Sequence, residues 1–282
     1  MVEETLERYL PVETEWPPKL HEAMLYSIRA GGKRLRPILT LAACEALGAP
    51  KERALPVAAA LEMIHTYSLI HDDLPAMDDD ALRRGKPTNH TVFGEAIAIL
   101  AGDALLTEAF RLMARKRHPD VEAKVLIEVM EAIADAAGSK GMAGGQVMDL
   151  ESEKKKISLA DLERLHRNKT GRLIRVSVES GARLGGGSAG EIETLGLYGE
   201  KIGLAFQIAD DVLDIEGGEE IGKDVGSDLA NEKATYPSLM GVQASKDLAS
   251  KLAEEAVDLL KSFDSKADPL REMARFVVKR RS

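Results

Sequence analysis

Residues 51–74 read KERALPVAAALEMIHTYSLIHDDL, and this stretch decides the fold class. Apolar side chains recur at intervals of three and four residues, for example at Leu55, Ala59 and Met63. This is the spacing of one face of an α-helix, and the alternation expected of a long strand is missing. The stretch therefore predicts a long helix that runs into a cluster of acidic residues.

The remainder of the chain repeats this helical pattern. Helix formers such as Ala, Leu, Glu and Lys dominate, and aromatic residues make up only 4%. The breaks are short and contain Gly or Pro, and none resembles an interdomain linker. We predict one all-α domain over residues 1–282, with about ten or more helices. The other predicted helices cover 37–48, 91–116, 121–137, 158–184, 188–215, 244–263 and 268–279.

Composition limits the function and the location. The 282 residues carry 47 Asp and Glu against 38 Lys and Arg, a formal charge of −9, which argues against a general nucleic-acid binder. Cys44 is the one cysteine, so no internal disulfide can form. The first residues lack the features of a signal peptide, and no apolar run reaches the length of a membrane span. A cytoplasmic location is predicted.

Two acidic clusters each follow a long apolar stretch: DDLPAMDDD at 72–80 and DDVLD at 210–214. Solvated acidic runs usually lie among Lys, Ser and Glu. Carboxylates crowded beside apolar side chains repel one another unless cations lie between them. An EF-hand is excluded, because the glycine and the terminal glutamate of that loop are missing. A helix cap or a solvated turn would explain one such cluster more easily than two.

Helix geometry indicates which carboxylates come together. Asp210 and Asp214 are four residues apart, so they lie on nearly one face of a helix. Asp72 and Asp78 are six apart, which on a regular helix would separate them. Pro75 should end the helix and let the chain bring Asp78 back beside Asp72. Separate oxygen ligands completed by water and phosphate suit Mg²⁺.

Basic residues accompany both clusters. GGKRLRP at 31–37 is a flexible turn into a helix without P-loop spacing, and Lys33 and Arg36 in it can reach one anion. Arg83 and Arg84 follow the first cluster directly, where they either neutralise it or bind phosphate.

His65 precedes Asp72 by seven residues on nearly the same helix face, so we predict an anion-binding role. His71 points away from Asp72 and is expected to be structural. Together with the two metal sites, the cations describe a pocket for two polyphosphates. The remaining candidates in it are Lys169, Thr170, Lys223 and Lys233.

These residues closely resemble the trans-prenyltransferases, the isoprenyl diphosphate synthases of the polyprenyl synthetase family, over essentially the whole chain. The resemblance implies an all-α barrel of helices around a deep central cavity, usually homodimeric. The motifs that carry it, in order, are GGKRLRP (31–37), SLIHDDLPAMDDDALRRGKPTNH (68–90), AGDALL (101–106), GGQVMDL (144–150), NKTGRL (168–173), FQIADDVLD (206–214) and GKDVGSDLANEKATYP (222–237).

The resemblance also implies a role for each matching residue. Mg²⁺ would be held by Asp72, Asp78, Asp210 and Asp214, with Asp73 and Asp211 in or near the shell. Isopentenyl diphosphate would be bound by Lys33, Arg36, His65 and Arg84. The allylic diphosphate would be bound by Arg83, Lys169, Thr170, Gln207, Lys223 and Lys233, among which Lys169, Thr170, Gln207 and Lys223 are the predicted catalytic residues.

The implied reaction is condensation of isopentenyl diphosphate with an allylic diphosphate through a carbocation. Charge stabilisation of the leaving diphosphate and exclusion of water both suit this chemistry. Phe206 would line the apolar space one turn before Asp210, and the segment 217–231 would close over bound substrate.

The resemblance ties product length to the residues before the first cluster, here Tyr67 and Ser68, and to the inserted Pro75-Ala76. A bulky Tyr67 with this insertion looks like bacterial farnesyl diphosphate synthases.

Four other functions are open at this point. A geranylgeranyl diphosphate synthase shares every motif except the residues that set product length. A terpene cyclase would not need Lys33, Arg36 and Arg84. A His-Asp metal phosphohydrolase would need more converging histidines than this chain offers. A non-catalytic regulatory subunit should have lost acids from one cluster, and both clusters are intact.

Overall fold

The computed structural model of the chain describes residues 1–115, 120–153, 155–216 and 234–279. Within these ranges the only strands are Leu82–Arg83 and Lys86–Pro87, which pair as a short antiparallel hairpin. All other regular elements there are helical, which confirms the all-α prediction. The chain divides into two compact units, one of residues 1–38 and 55–120, the other of residues 39–54 and 121–282.

The first unit is built around one helix that is buried on nearly all sides. The helix α4 has buried side chains on every face from Pro56 to Ile64 and packs mainly against α6. Gly102 of α6 permits this approach, because a Cβ there would lie 2.2 Å from Nε2 of His71. His71 contacts the carbonyl oxygen of Ile99 at 3.1 Å, so it has structural partners, as its position predicts. The helices are α1 (Val2–Tyr9), α2 (Pro18–Arg29), α3 (Leu35–Ala46, with residues in both units), α4 (Leu55–Asp72), α5 (Asn89–Phe93) and α6 (Glu95–Ala114).

The second unit is organised around its longest helix, α11, which packs against α10, α13 and α14. Two glycines of α11 allow close helix contact. A Cβ at Gly199 would lie 3.0 Å from Cα of Arg175, and one at Gly203 would lie 3.0 Å from Cα of Gly171. The helices are α7 (Ala123–Ala137), α8 (Met142–Ser152), α9 (Leu159–His166), α10 (Arg172–Leu184), α11 (Ala189–Glu216), α12 (Tyr236–Met240), α13 (Val242–Leu259) and α14 (Asp268–Lys279), with a π-helical turn at Arg167–Gly171 between α9 and α10.

Several boundaries differ from the sequence prediction. The helix expected over 91–116 is broken at Gly94, whose φ of 84° is left-handed, so α5 and α6 are separate. The helix expected over 158–184 is interrupted by the π-helical turn. The helix α8 lies between the predicted helices over 121–137 and 158–184, and it contains Gly144 and Gly145 in its interior. Such glycines serve tight packing here and do not end the helix.

Candidate active site

The first acidic cluster lies where α4 ends and the chain turns back. The backbone N–H of Asp78 donates to the carbonyl oxygen of Asp72 at 2.9 Å, so the segment after Pro75 returns to the helix end, as predicted. Asp79 has a left-handed φ of 53° and its N–H donates to Leu74 at 3.1 Å. The turn thus brings the backbones of the two predicted metal ligands together.

Asp73, the second residue of this cluster, serves a different purpose from Asp72. The residue is almost completely buried, with 3% exposure, and its Oδ1 accepts a hydrogen bond from Nε of Arg83. Nη2 of Arg83 also contacts Asp80 at 3.2 Å. Burial raises the pKa of the Asp73 carboxyl to about 6, against the opposing effect of Arg83. Arg83 therefore has two carboxylate partners within the cluster. Its contact with the allylic diphosphate stays a prediction.

A glycine turn supports Arg84. Gly31 and Gly32 have left-handed φ values of 88° and 129°, which side-chain-bearing residues rarely adopt. Nη1 of Arg84 donates to the carbonyl oxygen of Gly31. A Cβ at Gly32 would lie 2.5 Å from Cζ of Arg84, so a side chain there would displace the guanidinium from its present position. The turn at residues 31–32 therefore holds Arg84, which the sequence predicts to bind an anion, through a backbone hydrogen bond.

His65 lies among positive charges. The imidazole is half-buried, and burial lowers its pKa well below 6.5, with Arg36, Arg84 and Arg83 adding to the effect. Such a histidine is neutral at physiological pH and offers a phosphate oxygen an N–H donor. The structure thus brings three of the four predicted isopentenyl diphosphate ligands, His65, Arg36 and Arg84, into one electrostatic cluster, while Lys33 lies exposed on the adjoining turn.

In the second acidic cluster Asp211 is held by the protein. The residue is 2% exposed. Its Oδ1 accepts a hydrogen bond from Nε2 of Gln207 at 3.0 Å, and its Oδ2 accepts one from the backbone N–H of Tyr236 at 3.0 Å. Asp210 and Asp214 are half-buried and one turn apart on α11, as predicted. Asp211 therefore orients neighbouring groups, and Asp210 and Asp214 are the better metal-ligand candidates.

The predicted catalytic residues Lys169 and Thr170 lie in the π-helical turn. Oγ1 of Thr170 donates to Oε1 of Gln207 at 3.0 Å, which joins the turn to Asp211 through one shared amide. Nζ of Lys169 lies 2.5 Å from Oδ2 of Asp149 on α8. Sequence reasoning missed Asp149 as a site residue, although its motif GGQVMDL was recognised.

Two further neighbours were missed by sequence reasoning. His166 lies 3.7 Å from Oδ2 of Asp211 and its ring stacks on that of Tyr236, with centroids 5.7 Å apart. Burial lowers the pKa of His166 to about 4, so it is neutral at physiological pH. No sequence pattern indicates that His166 and Tyr236 lie near Asp211, because their proximity depends on how α9 and α12 pack beside α11.

Tyr67 and Ser68, predicted to set product length, both lie on α4. The Tyr67 ring packs edge-on against His71 with centroids 5.7 Å apart, and burial raises its pKa, helped by the charge of Asp72. Oγ of Ser68 donates to the carbonyl oxygen of His65 at 2.9 Å. Phe206 is half-buried on α11. The roles of these residues in product length stay predictions.

The carboxylates suit a hard cation. Among the residues that the structure describes, no three His, Cys, Asp or Glu side chains are grouped so as to hold a metal ion by themselves. Mg²⁺ is typically bound by one or two carboxylates with waters and substrate phosphates, and the pairs Asp72 with Asp78 and Asp210 with Asp214 match that donor set. Lys223, Lys233 and the segment 217–231 lie outside the described residues.

No helix within the described ranges combines the length and apolar character needed to cross a membrane.

Comparison with known proteins gives consistent matches. A family model described as polyprenyl synthetase matches residues 17–272. The chain is 52% identical over 264 residues to the farnesyl diphosphate synthase of Geobacillus stearothermophilus, covering 93% of this chain and 89% of that protein. It is 49% identical over 282 residues to the geranylgeranyl diphosphate synthase of Cyanophora paradoxa, covering 99% and 93%. A crystal structure of an FPP/GFPP synthase from Zymomonas mobilis superposes with a TM-score of 0.87 at 41% identity, covering 98% and 94%.

Proposed function

The chain belongs to the polyprenyl synthetase family, and from this premise we propose that it is a Mg²⁺-dependent farnesyl diphosphate synthase. It condenses isopentenyl diphosphate head to tail with dimethylallyl diphosphate and then geranyl diphosphate, and releases one diphosphate at each step. The observation that carries the proposal lies in α4: Asp78 returns to Asp72 at the end of the helix, and His65, seven residues earlier, is surrounded by arginines. That one segment supplies both a cation site and an anion site.

Isopentenyl diphosphate binds, in this proposal, through Lys33, Arg36, His65 and Arg84. The support is the clustered charge around His65 and the glycine turn that fixes Arg84. A guanidinium recognises phosphate through two parallel hydrogen bonds, so a fixed Arg84 contributes orientation as well as charge. The neutral His65 adds a donor without adding to the repulsion among the arginines.

The allylic diphosphate binds through the residues of the second set. Nζ of Lys169 already faces a carboxylate oxygen of Asp149 at 2.5 Å, so its position is held before a phosphate oxygen replaces that partner. Thr170 and Gln207 hold each other by a 3.0 Å hydrogen bond, which fixes the hydroxyl relative to α11. The full set is Arg83, Lys169, Thr170, Gln207, Lys223 and Lys233.

Asp72, Asp78, Asp210 and Asp214 are the residues that would hold Mg²⁺. When bound, Mg²⁺ supplies positive charge where the leaving diphosphate gains negative charge. Lys169 adds to this stabilisation at the same leaving group. The apolar side chains before each cluster, Tyr67 and Phe206 among them, keep water away from the reacting carbons.

The direct test is a product assay. The protein is incubated with Mg²⁺, isopentenyl diphosphate and dimethylallyl diphosphate, and diphosphate release and product chain length are measured together. Farnesyl diphosphate as the main product is expected. Absence of condensation would refute the enzyme assignment. Geranylgeranyl diphosphate as the main product would instead support the second candidate, which the 49% identity to the Cyanophora paradoxa enzyme favours.

Tyr67 provides a sharper test of product length. Replacing Tyr67 with Ala removes an aromatic ring of about the bulk of one isoprene unit, so longer products should form while the first condensations continue. Tyr67→Phe is the matched control, because it keeps the aromatic ring and removes only the hydroxyl. An unchanged product from Tyr67→Ala would place the length limit elsewhere, for example at Ser68 or at the Pro75-Ala76 insertion.

We also propose a homodimer of a single-domain, cytoplasmic enzyme. The family model spans 17–272, which supports one synthase domain over the chain. In the first unit Val92, Ile99 and Leu100 expose 47%, 43% and 52% of their surface along α5 and α6, an apolar stripe that a second copy would cover. Light scattering after size-exclusion chromatography tests this, and a monomer at micromolar concentration would contradict it.

A further inference from the structure

Arg34 lies between the two predicted phosphate ligands of the 31–37 turn but is fully engaged by the protein. Its Nη1 donates to Oε1 of Glu62 at 2.6 Å, its Nη2 donates to the carbonyl oxygen of Ile28 at 2.7 Å, and its Nε donates to Oε1 of Glu3 at 2.6 Å. The residue is 9% exposed. A guanidinium with its donors used in this way has little capacity left for a diphosphate.

Glu62 is the buried partner in this arrangement. It is 1% exposed on α4 and precedes His65 by three residues, so both lie on one side of the helix. A buried carboxylate is tolerated only when it is paired, and here the pair is with Arg34. Glu62 is also the charge that most favours the protonated form of Arg84, whose pKa is lowered by burial and by Arg34 and Arg83.

The turn that Arg34 belongs to has an unusual backbone. Arg34 has a left-handed φ of 49°, which a residue other than glycine or asparagine adopts only when contacts hold it there. Arg34 directly follows Lys33, and the same turn presents the carbonyl oxygen of Gly31 to Arg84. Fixing Arg34 therefore fixes a lysine and the support of an arginine at the same time.

We propose that Glu62, acting through Arg34, is a positioning residue for the isopentenyl diphosphate site. The buried Glu62–Arg34 pair holds the 31–34 turn in the conformation that directs Lys33 and Arg84 to the diphosphate. Glu62 contacts neither substrate. The inference rests on the proposed function, because it assumes that the cluster around His65 binds isopentenyl diphosphate.

The sign of the effect separates positioning from simple electrostatics. Removing the charge of Glu62 makes the cluster more positive, so electrostatics alone predicts tighter binding of a diphosphate. Loss of positioning predicts weaker binding. Glu62→Gln keeps the size of the side chain and removes the charge-assisted hydrogen bond to Arg34, so it distinguishes the two.

The experiment measures steady-state kinetics with each substrate varied in turn. For Glu62→Gln we expect KM for isopentenyl diphosphate to rise about tenfold, since a hydrogen bond to a charged group is lost. The kcat and the KM for geranyl diphosphate should change less than about threefold. The matched control is Glu7→Gln, which removes the exposed pair between Glu7 and Arg29 on the neighbouring helices and should leave all constants unchanged.

A double variant covers the case in which Glu62→Gln folds poorly. Arg34→Gly with Glu62→Met keeps the left-handed turn available and replaces the buried pair by an apolar side chain, a change that is often tolerated. It should fold and still show the raised KM. An unchanged or lowered KM for isopentenyl diphosphate in either folded variant overturns the inference. A wild type that fails to bind isopentenyl diphosphate in calorimetry, or to condense it, overturns the proposed function first.

Discussion

The second aspartate is buried in both acidic clusters, but it has different hydrogen-bond partners in each. Asp73 and Asp211 are both almost completely buried. Asp73 is held by the cation Arg83, whereas Asp211 is held by an amide and a backbone N–H. In each doublet the second aspartate fixes the local structure through these contacts, whereas the first is the predicted metal ligand. A doublet of acids in a sequence thus does not indicate two equivalent metal ligands.

The largest effect should separate the ligands from the rest of the protein. Asp72→Ala or Asp210→Ala should lower turnover at least about 1000-fold with helicity unchanged, because each removes a predicted metal ligand and no core group. Turnover assays combined with circular dichroism check this. Asp247→Ala, an exposed aspartate of α13, is the control. Parallel loss of helicity and activity would indicate that Asp72 and Asp210 also have a structural role, like the second aspartate of each cluster.

The next effect distinguishes the two proposed diphosphate sites. Arg36→Ala should raise KM for isopentenyl diphosphate about tenfold or more, and Lys169→Ala should do so for the allylic substrate, since each loses a charge-assisted hydrogen bond. Each KM is measured with the other substrate saturating. Equal effects of both variants on both substrates would show that the two sites are wrongly divided.

A smaller effect tests Asp211, whose partners are two uncharged groups. Asp211→Ala leaves the backbone N–H of Tyr236 and the amide of Gln207 without their acceptor, which should cost about 2–3 kcal/mol of unfolding free energy. Turnover should fall about tenfold, because Gln207 no longer orients Thr170. Urea denaturation and kcat measure the two parts. If the variant has the same free energy of unfolding as the wild type, the hydrogen bonds of Asp211 do not stabilise the fold.

The smallest effect is the pH dependence of stability that Asp73, the partner of Arg83, should produce. Burial raises the pKa of Asp73 from 3.8 to about 6, so the folded protein binds this proton more tightly than the unfolded chain. The resulting stability is present below pH 4 and is lost as the pH rises through about 6. Relative to Asp73→Asn, the wild type should lose about 2 kcal/mol between pH 4 and pH 7 in Mg²⁺-free buffer. A difference independent of pH would show that Arg83 fully offsets the burial.

The sequence predicted most of the longer helices, because the spacing of apolar residues is a local pattern, but it did not predict α1, α2 or α8. The return of Asp78 to Asp72 follows from Pro75, a single residue with a known effect on helices. The inward orientation of Asp211 could not be predicted, because it depends on Tyr236, which lies 25 residues further along the chain.

The glycines show the same limit of sequence reasoning. In α8 they look like a break until the neighbouring turn is known: a Cβ at Gly145 would lie 2.2 Å from the backbone nitrogen of Lys169. Arg34 likewise resembles one more phosphate ligand, and only its contacts with Glu62, Ile28 and Glu3 show otherwise. Long-range packing decides these cases, and a pattern of residue types does not contain it.

The π-helical turn at Arg167–Gly171 makes the number of residues in this segment of the protein critical. Such a turn holds one residue more than regular α-helical winding requires. A point mutation at Asn168 changes a side chain and leaves the winding as it is. Loss of one codon would instead let α9 and α10 join as a regular helix and rotate Lys169 by about 100° relative to the residues that follow. In-frame deletions of a single codon should therefore be tolerated far less here than amino-acid replacements.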